Sequence, residues 1–411
     1  MAQIILTNPE EILEMLAQDP NDLKKELLQS LFNAILKVES DDQLHAGRYS
    51  RTEDRTDYRN GFREREFVTC SGKLKLQVPR HRNIPFKTML FENYQRNEVA
   101  LVATMAEMVI CGVATRKVER ITEKLCGVRF SKSEVSEVCS ILLKTVNDFK
   151  QRTLEEPYPF ITVDGTYFKV RENHRVVSKV MMIAYATNDQ GIRNIIGLEV
   201  YERESKETWT SFFQNLKERG LKETLMITSD AHEGIQYAIT KVFPEASWQR
   251  CQFHFSRNIS DKAPKRYQAG IRSELNEMFN SRTVEEARKI RDRIIDDYKE
   301  KAPAAMECLD EGFEDSMTVM VLPYDLRKYY RTSNQVERIN RELKRRSKTI
   351  GIFPNVDSLL RMMGSILIDL NDKLQLKKIV FTPEHYKTLL ESDVPKKLRT
   401  IAEEQKQMRA A

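Results

Sequence analysis

The feature that most limits how this chain can fold is a series of apolar segments between residues 160 and 251. Phe160-Ile161-Thr162-Val163 reads as a short strand that ends in Asp164-Gly165-Thr166. Val176–Ala186 and Ile192–Val200 read as two more strands, with the turn Asn188-Asp189-Gln190-Gly191 between them. Thr208–Arg219 is an amphipathic helix, Leu225-Met226-Ile227-Thr228 a buried strand ending in Ser229-Asp230, Gly234–Val242 a helix and Ala246–Cys251 a fifth strand. The order β-β-β-α-β-α-β predicts a mixed sheet, three antiparallel strands followed by parallel ones.

That order is the one found in ribonuclease-H-like domains, so the expected fold class is α/β with a ribonuclease-H-like catalytic domain. Its first part is placed at 154–255, opening on the Pro-containing linker at Glu155–Pro159. Residues 256–330 break the alternation. Ile271–Phe279, Val284–Lys299 and Pro303–Met317 read as helices and form an all-helical insertion. The last helices of the catalytic domain and a helical tail occupy 331–411. Upstream, 1–45 is a helical region in two pieces separated by a turn at Asp19-Pro20-Asn21-Asp22. Residues 46–97 form a basic, loop-rich region with one strand around Lys73–Val78, in which Arg48, Arg51, Arg55, Arg59, Arg63 and Arg65 alternate with Tyr49, Tyr58 and Phe62. Such a mixture suits a surface that grips phosphates, and equally suits an ordinary solvated loop. Residues 98–153 read as three helices with short Gly turns at Gly112 and Gly127, a helix-turn-helix arrangement that can place a helix in the major groove. Any three-helix bundle can mimic it.

With 411 residues and 40% hydrophobic content the chain has enough apolar material for two or three domains. A net charge of +6 and a pI near 8.8 are compatible with a nucleic-acid partner without demanding one. The six cysteines are scattered without paired spacing, which points to reduced thiols in a cytoplasmic protein. Glu10, Glu11 and Glu14 with no long apolar stretch argue against a signal peptide, and no segment is apolar for long enough to span a bilayer.

The chemistry is carried by three carboxylates. Asp164 and Asp230 each follow a hydrophobic strand, and Glu337 lies on a helix after the insertion. That helix is read over Thr332–Lys348: Val336, Ile339 and Leu343 make one apolar stripe, Thr332 and Gln335 have capping-box spacing, and Gly351 and Pro354 stop it. Glu337, Asn340, Arg341 and Lys344 share another face. The stretch 331–348 holds seven Lys or Arg against two Glu, so a carboxylate sits among cations, as a metal and a phosphate backbone would require. The plain alternative is a solvated helix in which Glu337 pairs with Arg341 or caps from Asn334. Clustered carboxylates repel one another unless cations lie between them. Two divalent ions, Mg²⁺ or Mn²⁺, about 4 Å apart would satisfy all three and suit phosphoryl chemistry.

Asp164-Gly165-Thr166, Thr228-Ser229-Asp230, Cys251-Gln252-Phe253-His254, the run Thr332–Asn340 and Gly351-Ile352-Phe353-Pro354-Asn355, with Arg59-Asn60-Gly61-Phe62 and Gln77-Val78-Pro79-Arg80, together resemble a Mutator-type bacterial insertion-sequence transposase. The resemblance covers roughly residues 50–360. It implies a DDE recombinase whose acids are Asp164, Asp230 and Glu337, with Lys344 at the basic position of the signature. It further implies a homodimer acting on terminal inverted repeats of double-stranded DNA, copy-out, paste-in transposition through a circular intermediate, and work at the bacterial nucleoid. DNA contacts are expected from Lys344, Arg341, Arg345, Arg59, Arg63, Arg80, Arg116, Lys117 and Lys132.

Cys251 and His254 have metal-ligand spacing, but no second pair completes a zinc site, so they are expected to support the active site or to pack. Trp209 and Trp248 are read as core, and His232 as structural. Glu342 lies about 140° round the helix from Glu337 and should point elsewhere. Two other functions fit the same residues: a DNA-binding regulator with a retired catalytic domain, and a ribonuclease-H-like nuclease that cleaves without joining.

Overall fold

A computed structural model describes residues 20–47, 54–69, 72–88, 132–348 and 350–410, with Met105, Met108, Lys117, Val118 and Ile121. The chain divides into two compact units, Met1–Ile141 and Leu142–Ala411.

In the first unit, α1 (Pro20–Leu44) packs on a hairpin of β1 (Arg59–Thr69) and β2 (Gly72–His81). Leu36 of α1 closes on Phe67, Leu74, Leu76 and Val78, the inward positions of the two alternating strands. Gln29 and Asn33 of α1 turn their side-chain carbonyls to the amides of Lys75 and Gln77, at 2.9 and 2.8 Å, so helix side chains satisfy these strand amides. Two expectations are corrected. The expected strand around Lys73–Val78 is present as β2, but the stretch from residue 59 before it is a second strand and not a loop, because Phe67 and the β2 apolar residues need a common face. No turn separates Pro20–Asp22 from the helix, since proline is well placed in a first helical turn, where it costs no hydrogen bond. The first helical piece, and nearly all of the two leading helices of the proposed helix-turn-helix, lie outside the described residues. The third is α2 (Lys132–Gln151), which spans the boundary between the units.

The second unit is built on a five-stranded sheet of order β5-β4-β3-β6-β7. The strands are β3 (Phe160–Glu172), β4 (Arg175–Thr187), β5 (Arg193–Tyr201), β6 (Met226–Ser229) and β7 (Ser247–Arg250). β3, β4 and β5 are antiparallel, and β6 and β7 join in parallel, the expected mixed topology. On one face α3 (Lys206–Glu218) and α4 (Glu233–Val242) bring Trp209, Phe212, Phe213, Ile235 and Ile239 against Ile161, Val163, Val180 and Ile227. Trp209 and Trp248 are fully buried, as expected.

β3 is longer than the sequence pattern suggested. Gly165 reads as a strand end, yet pairing with β4 continues to Glu172. The glycine is there for space: a Cβ at this position would meet the Glu204 carboxylate at 2.9 Å and Val180 at 3.1 Å.

After β7 comes a helical stretch, α5 (Gln252–Lys262), α6 (Lys265–Phe279), α7 (Val284–Tyr298), α8 (Pro303–Met317) and α9 (Tyr324–Tyr330), with a 3₁₀ turn at Thr318–Val321. It starts earlier than residue 256 and has its own core of Phe255, Ile259, Ile271, Leu275, Leu309 and Phe313. The chain then returns to the sheet as α10 (Asn334–Ser347), followed by α11 (Val356–Gln375), α12 (Pro383–Glu391) and α13 (Val394–Ala410). Three bonds dock the return. Thr228 Oγ1 donates to the Tyr330 carbonyl at 2.8 Å, the Gln252 amide to the Arg331 carbonyl at 3.0 Å, and the Ser333 amide to Cys251 Sγ at 3.2 Å. Among the described residues, no helix is long and apolar enough to cross a membrane.

Candidate active site

The parallel register explains where the two aspartates go. β3 and β6 pair from Phe160↔Met226 to Thr162↔Thr228 and no further. Asp164 and Asp230 each stand two residues past that last pair, so they emerge side by side where β6 stops. Asp164 is therefore in the middle of a long strand and not at its tip, a correction that leaves its neighbour unchanged. On the side β6 has left, β3 next meets the chain at the bridge Val170↔Phe353. Among the described residues no strand pairs with the intervening edge, and α10 packs against β3 and β4, reaching Asp164 through Asn340.

α10 docks through Val336, Ile339 and Leu343, all buried. Its start differs from the capping box expected of Thr332 and Gln335: Ser333 is the N-cap, and it makes no side-chain capping bond. Asn340, one turn after Glu337, is also buried, and its Nδ2 donates to Asp164 Oδ2 at 2.7 Å. The Gly165 amide donates to Asp164 Oδ1 at 2.9 Å. Despite these donors, burial and the neighbouring Asp230 charge raise the Asp164 carboxyl to about 7. The pairing of Glu337 with Arg341 that the plain alternative required is not among the ion pairs of the described residues. Instead Glu337 Oε1 accepts from Ser333 Oγ at 3.1 Å and lies 3.7 Å from His254 Nε2.

Cys251 and His254 begin α5 and face the same place. Ligating atoms of Cys251, His254 and Glu337 lie within 4.8 Å of one another, the one such group among the described residues. The Ser333 hydroxyl sits among them, 3.2 Å from Cys251 Sγ and 3.4 Å from His254 Nδ1. A hydrogen bond to Cys251, and the charges of Cys251, Glu337 and Asp164, raise His254 to about 9 against the opposing effect of burial. Burial pushes the Cys251 thiol up, but the bond and charge of His254 outweigh it and the net direction is down.

Pattern reading missed Glu204. It is half-buried, accepts from Trp209 Nε1 at 3.3 Å, and is raised by burial and by Asp230, with His232 opposing. It follows β5 in an unremarkable charged run, so only the small Gly165 opposite hinted at a side chain there. His232 is structural as expected: its Nδ1 caps α4 by accepting from the Gly234 amide at 3.1 Å. Glu342 also points elsewhere, with Arg345 and then Arg346 holding it down to about 2.

The donor set fits divalent cations. Asp164 and Asp230 crowd into one half-buried place and hold one carboxyl far above its ordinary range, a condition that bound cations relieve. Hard carboxylate oxygens suit Mg²⁺ or Mn²⁺.

Of the expected DNA contacts, Lys344 and Arg341 are exposed on α10, and Arg345 is exposed but bonded to Glu342. Arg63, Arg80 and Lys117 are exposed. Arg59 is used inside its unit, paired with Asp41 and donating to the carbonyls of Ala46 and Gly47. Arg116 and the side chain of Lys132 lie outside the described residues.

A profile of the family described as "Transposase, Mutator family" matches residues 3–376. The transposase for insertion sequence element IS256 in transposon Tn4001 of Staphylococcus aureus is 42% identical over 367 residues, 89% of this chain and 93% of the relative. The transposase for insertion sequence element ISRM5 of Rhizobium meliloti is 37% identical, covering 88% and 90% of the two chains. That for IS1081 of Mycobacterium tuberculosis is 34% identical, covering 90% and 89%. Among solved structures, the Drosophila P element transposase strand transfer complex overlaps 73% of this chain and 91% of its own at 11% identity, with a TM-score of 0.28, too low to bear on the fold.

Proposed function

This chain belongs to the Mutator family of transposases, and we propose that it cuts and joins DNA strands at the ends of an insertion sequence. The observation that carries the reading is the meeting of Asp164 and Asp230 at the open edge of β3, with Asn340 of α10 bonded to Asp164 and Glu337 one turn earlier. The sheet order supports a ribonuclease-H-like catalytic domain, with α5 to α9 as its helical insertion.

In this reading Asp164, Asp230 and Glu337 are the acids of a DDE site and hold two Mg²⁺ or Mn²⁺ ions. Bound there, the cations supply Lewis acidity that favours attack by water or a 3′-hydroxyl on a phosphodiester. Asn340 and the Gly165 amide fix the Asp164 carboxylate so that both its oxygens stay aimed. Lys344 and Arg341, exposed on α10, hold the phosphate backbone beside the acids. Binding of double-stranded ends falls to the first unit, through Arg63, Arg80 and Lys117, with Arg116 and Lys132 in the same role. Family membership supports action as a homodimer on terminal inverted repeats, by copy-out, paste-in transposition through a circular intermediate, at the nucleoid.

The test is Mg²⁺-dependent nicking of a supercoiled plasmid carrying the element's ends. The intact protein should nick and then join. Asp164→Ala, Asp230→Ala and Glu337→Ala should each abolish nicking and leave end binding nearly intact. Nicking that survives all three substitutions contradicts the assignment, and nicking with no joining identifies a nuclease.

A further inference from the structure

Ser333 has no evident reason to be a buried serine. It is 1% exposed and caps α10 only by position, without a side-chain capping bond. Cys251 is as puzzling: fully buried at the N-cap of α5, it makes no capping bond either. Their contacts answer both questions. The Ser333 hydroxyl lies 3.1 Å from Glu337 Oε1 and 3.2 Å from Cys251 Sγ, and can donate to either. A hydroxyl has one proton, so it serves one acceptor at a time. The sulfur is held in place by the Ser333 amide, also at 3.2 Å.

We infer that Ser333 is a positioning residue for Glu337, and that Cys251 is the alternative acceptor that lets Glu337 leave. The inference rests on the reading of Glu337 as a metal ligand. In the structure the Glu337 carboxylate is parked on Ser333. Among the described residues Glu337 clusters within 4.8 Å with Cys251 and His254 and not with the two aspartates. To join Asp164 and Asp230 around a cation it therefore moves and gives up its bond to Ser333. A buried hydroxyl left without an acceptor is costly, and the cost would fall on metal binding. With Sγ in reach the hydroxyl proton swings from carboxylate to sulfur, and the buried group is never stranded. The exchange breaks one O–H···O bond and forms one O–H···S bond, with no proton leaving the hydroxyl. Sulfur is the weaker acceptor, so the carboxylate keeps the bond until a cation competes for it.

The experiment measures the dissociation constant of Mn²⁺ on the full-length chain by electron paramagnetic resonance. Cys251→Ala leaves Glu337 at 3.1 Å as the hydroxyl's nearest acceptor, with His254 Nδ1 farther off at 3.4 Å, and Mn²⁺ should bind about tenfold more weakly. Ser333→Ala removes the hold, and Mn²⁺ should bind about threefold more tightly. The double variant should match Ser333→Ala; weakening that persists without the hydroxyl would run instead through His254, which bonds Cys251 and lies 3.7 Å from Glu337, and would overturn the inference. Cys251→Ser keeps an acceptor and should restore affinity close to that of the intact protein, which separates the effect from loss of packing. Shifts in the same direction for Cys251→Ala and Ser333→Ala, or additive effects in the double variant, would overturn the inference. Glu337→Gln distinguishes the two levels: if it leaves Mn²⁺ binding unchanged, the metal-ligand reading fails. If it weakens binding while Cys251→Ala does not, only the present inference fails.

Discussion

The hairpin of the first unit is rich in cations and the open edge of β3 in the second is rich in acids, and the two treat their charges in opposite ways. On the hairpin, Arg63, Lys73, Lys75 and Arg80 point into water, and Lys73 has Glu66 at 3.5 Å. Solvation and loose pairing keep such charges inexpensive, so their presence says little about what they meet. At the edge of β3, Asp164, Asp230, Glu204 and Glu337 are each at least half withdrawn from water. Among them Asp164 is raised to about 7 and Glu204 is raised as well. A fold keeps charges in that condition only where something else supplies the missing counter-charge. The difference shows where to look for chemistry: the acids that are poorly compensated, and not the cations that are merely numerous.

The comparison breaks most sharply at the acids. Asp164→Asn, Asp230→Asn and Glu337→Gln should each lower metal-dependent nicking about a thousandfold or more, while Arg63→Ala changes it little at saturating DNA. A survivor among the three would remove the contrast.

The second effect is on stability. The folded Asp164 carboxyl titrates near 7, above its ordinary value of 3.8, so the folded state binds the proton more tightly than the unfolded state. Between those values stability falls as pH rises, and the favourable contribution is complete only below about 4. In EDTA the Tm should therefore drop from pH 5 to pH 8 by more in the intact protein than in Asp164→Asn, and Mg²⁺ should remove the excess. Equal slopes for the two proteins would contradict the buried-acid account.

A smaller effect is expected at Asn340. Replacing it with Ala deletes a hydrogen bond to a carboxylate and should lower the nicking rate about tenfold with little change in end binding. The smallest effects belong to the hairpin. Arg80→Ala and Arg63→Ala should leave Tm nearly unchanged and reduce the salt dependence of end binding by about one phosphate contact each. Arg59→Ala should lower Tm instead, because its bonds to Asp41, Ala46 and Gly47 are internal. A Tm loss at Arg80 equal to that at Arg59 would blur the distinction.

Much of the second unit was legible because its strands are apolar and bounded by turn residues, and a sheet leaves that pattern little choice. The positions of Asp164 and Asp230 followed from strand ends, although β3 runs on past Gly165. What sequence could not show was the partner of each acid. Asn340 meets Asp164, and Ser333 meets Glu337 and Cys251, only because Tyr330–Ser333 docks against β6 and α5 through single bonds that leave no periodicity. Glu204 was hidden for a similar reason, since its place is set by a glycine on another strand. In the first unit the alternation of Leu74, Leu76 and Val78 was legible as a strand, whereas β1 was hidden because charged residues fill 63–66 and its buried apolar residues are only Phe67 and Val68.

The most direct measurement counts Mn²⁺ ions bound per protomer, by electron paramagnetic resonance, with the protein on DNA carrying the element's ends. Two ions should be found in the intact protein, and fewer in each of Asp164→Asn, Asp230→Asn and Glu337→Gln. Equal counts in all four proteins would mean that these carboxylates do not share a metal site.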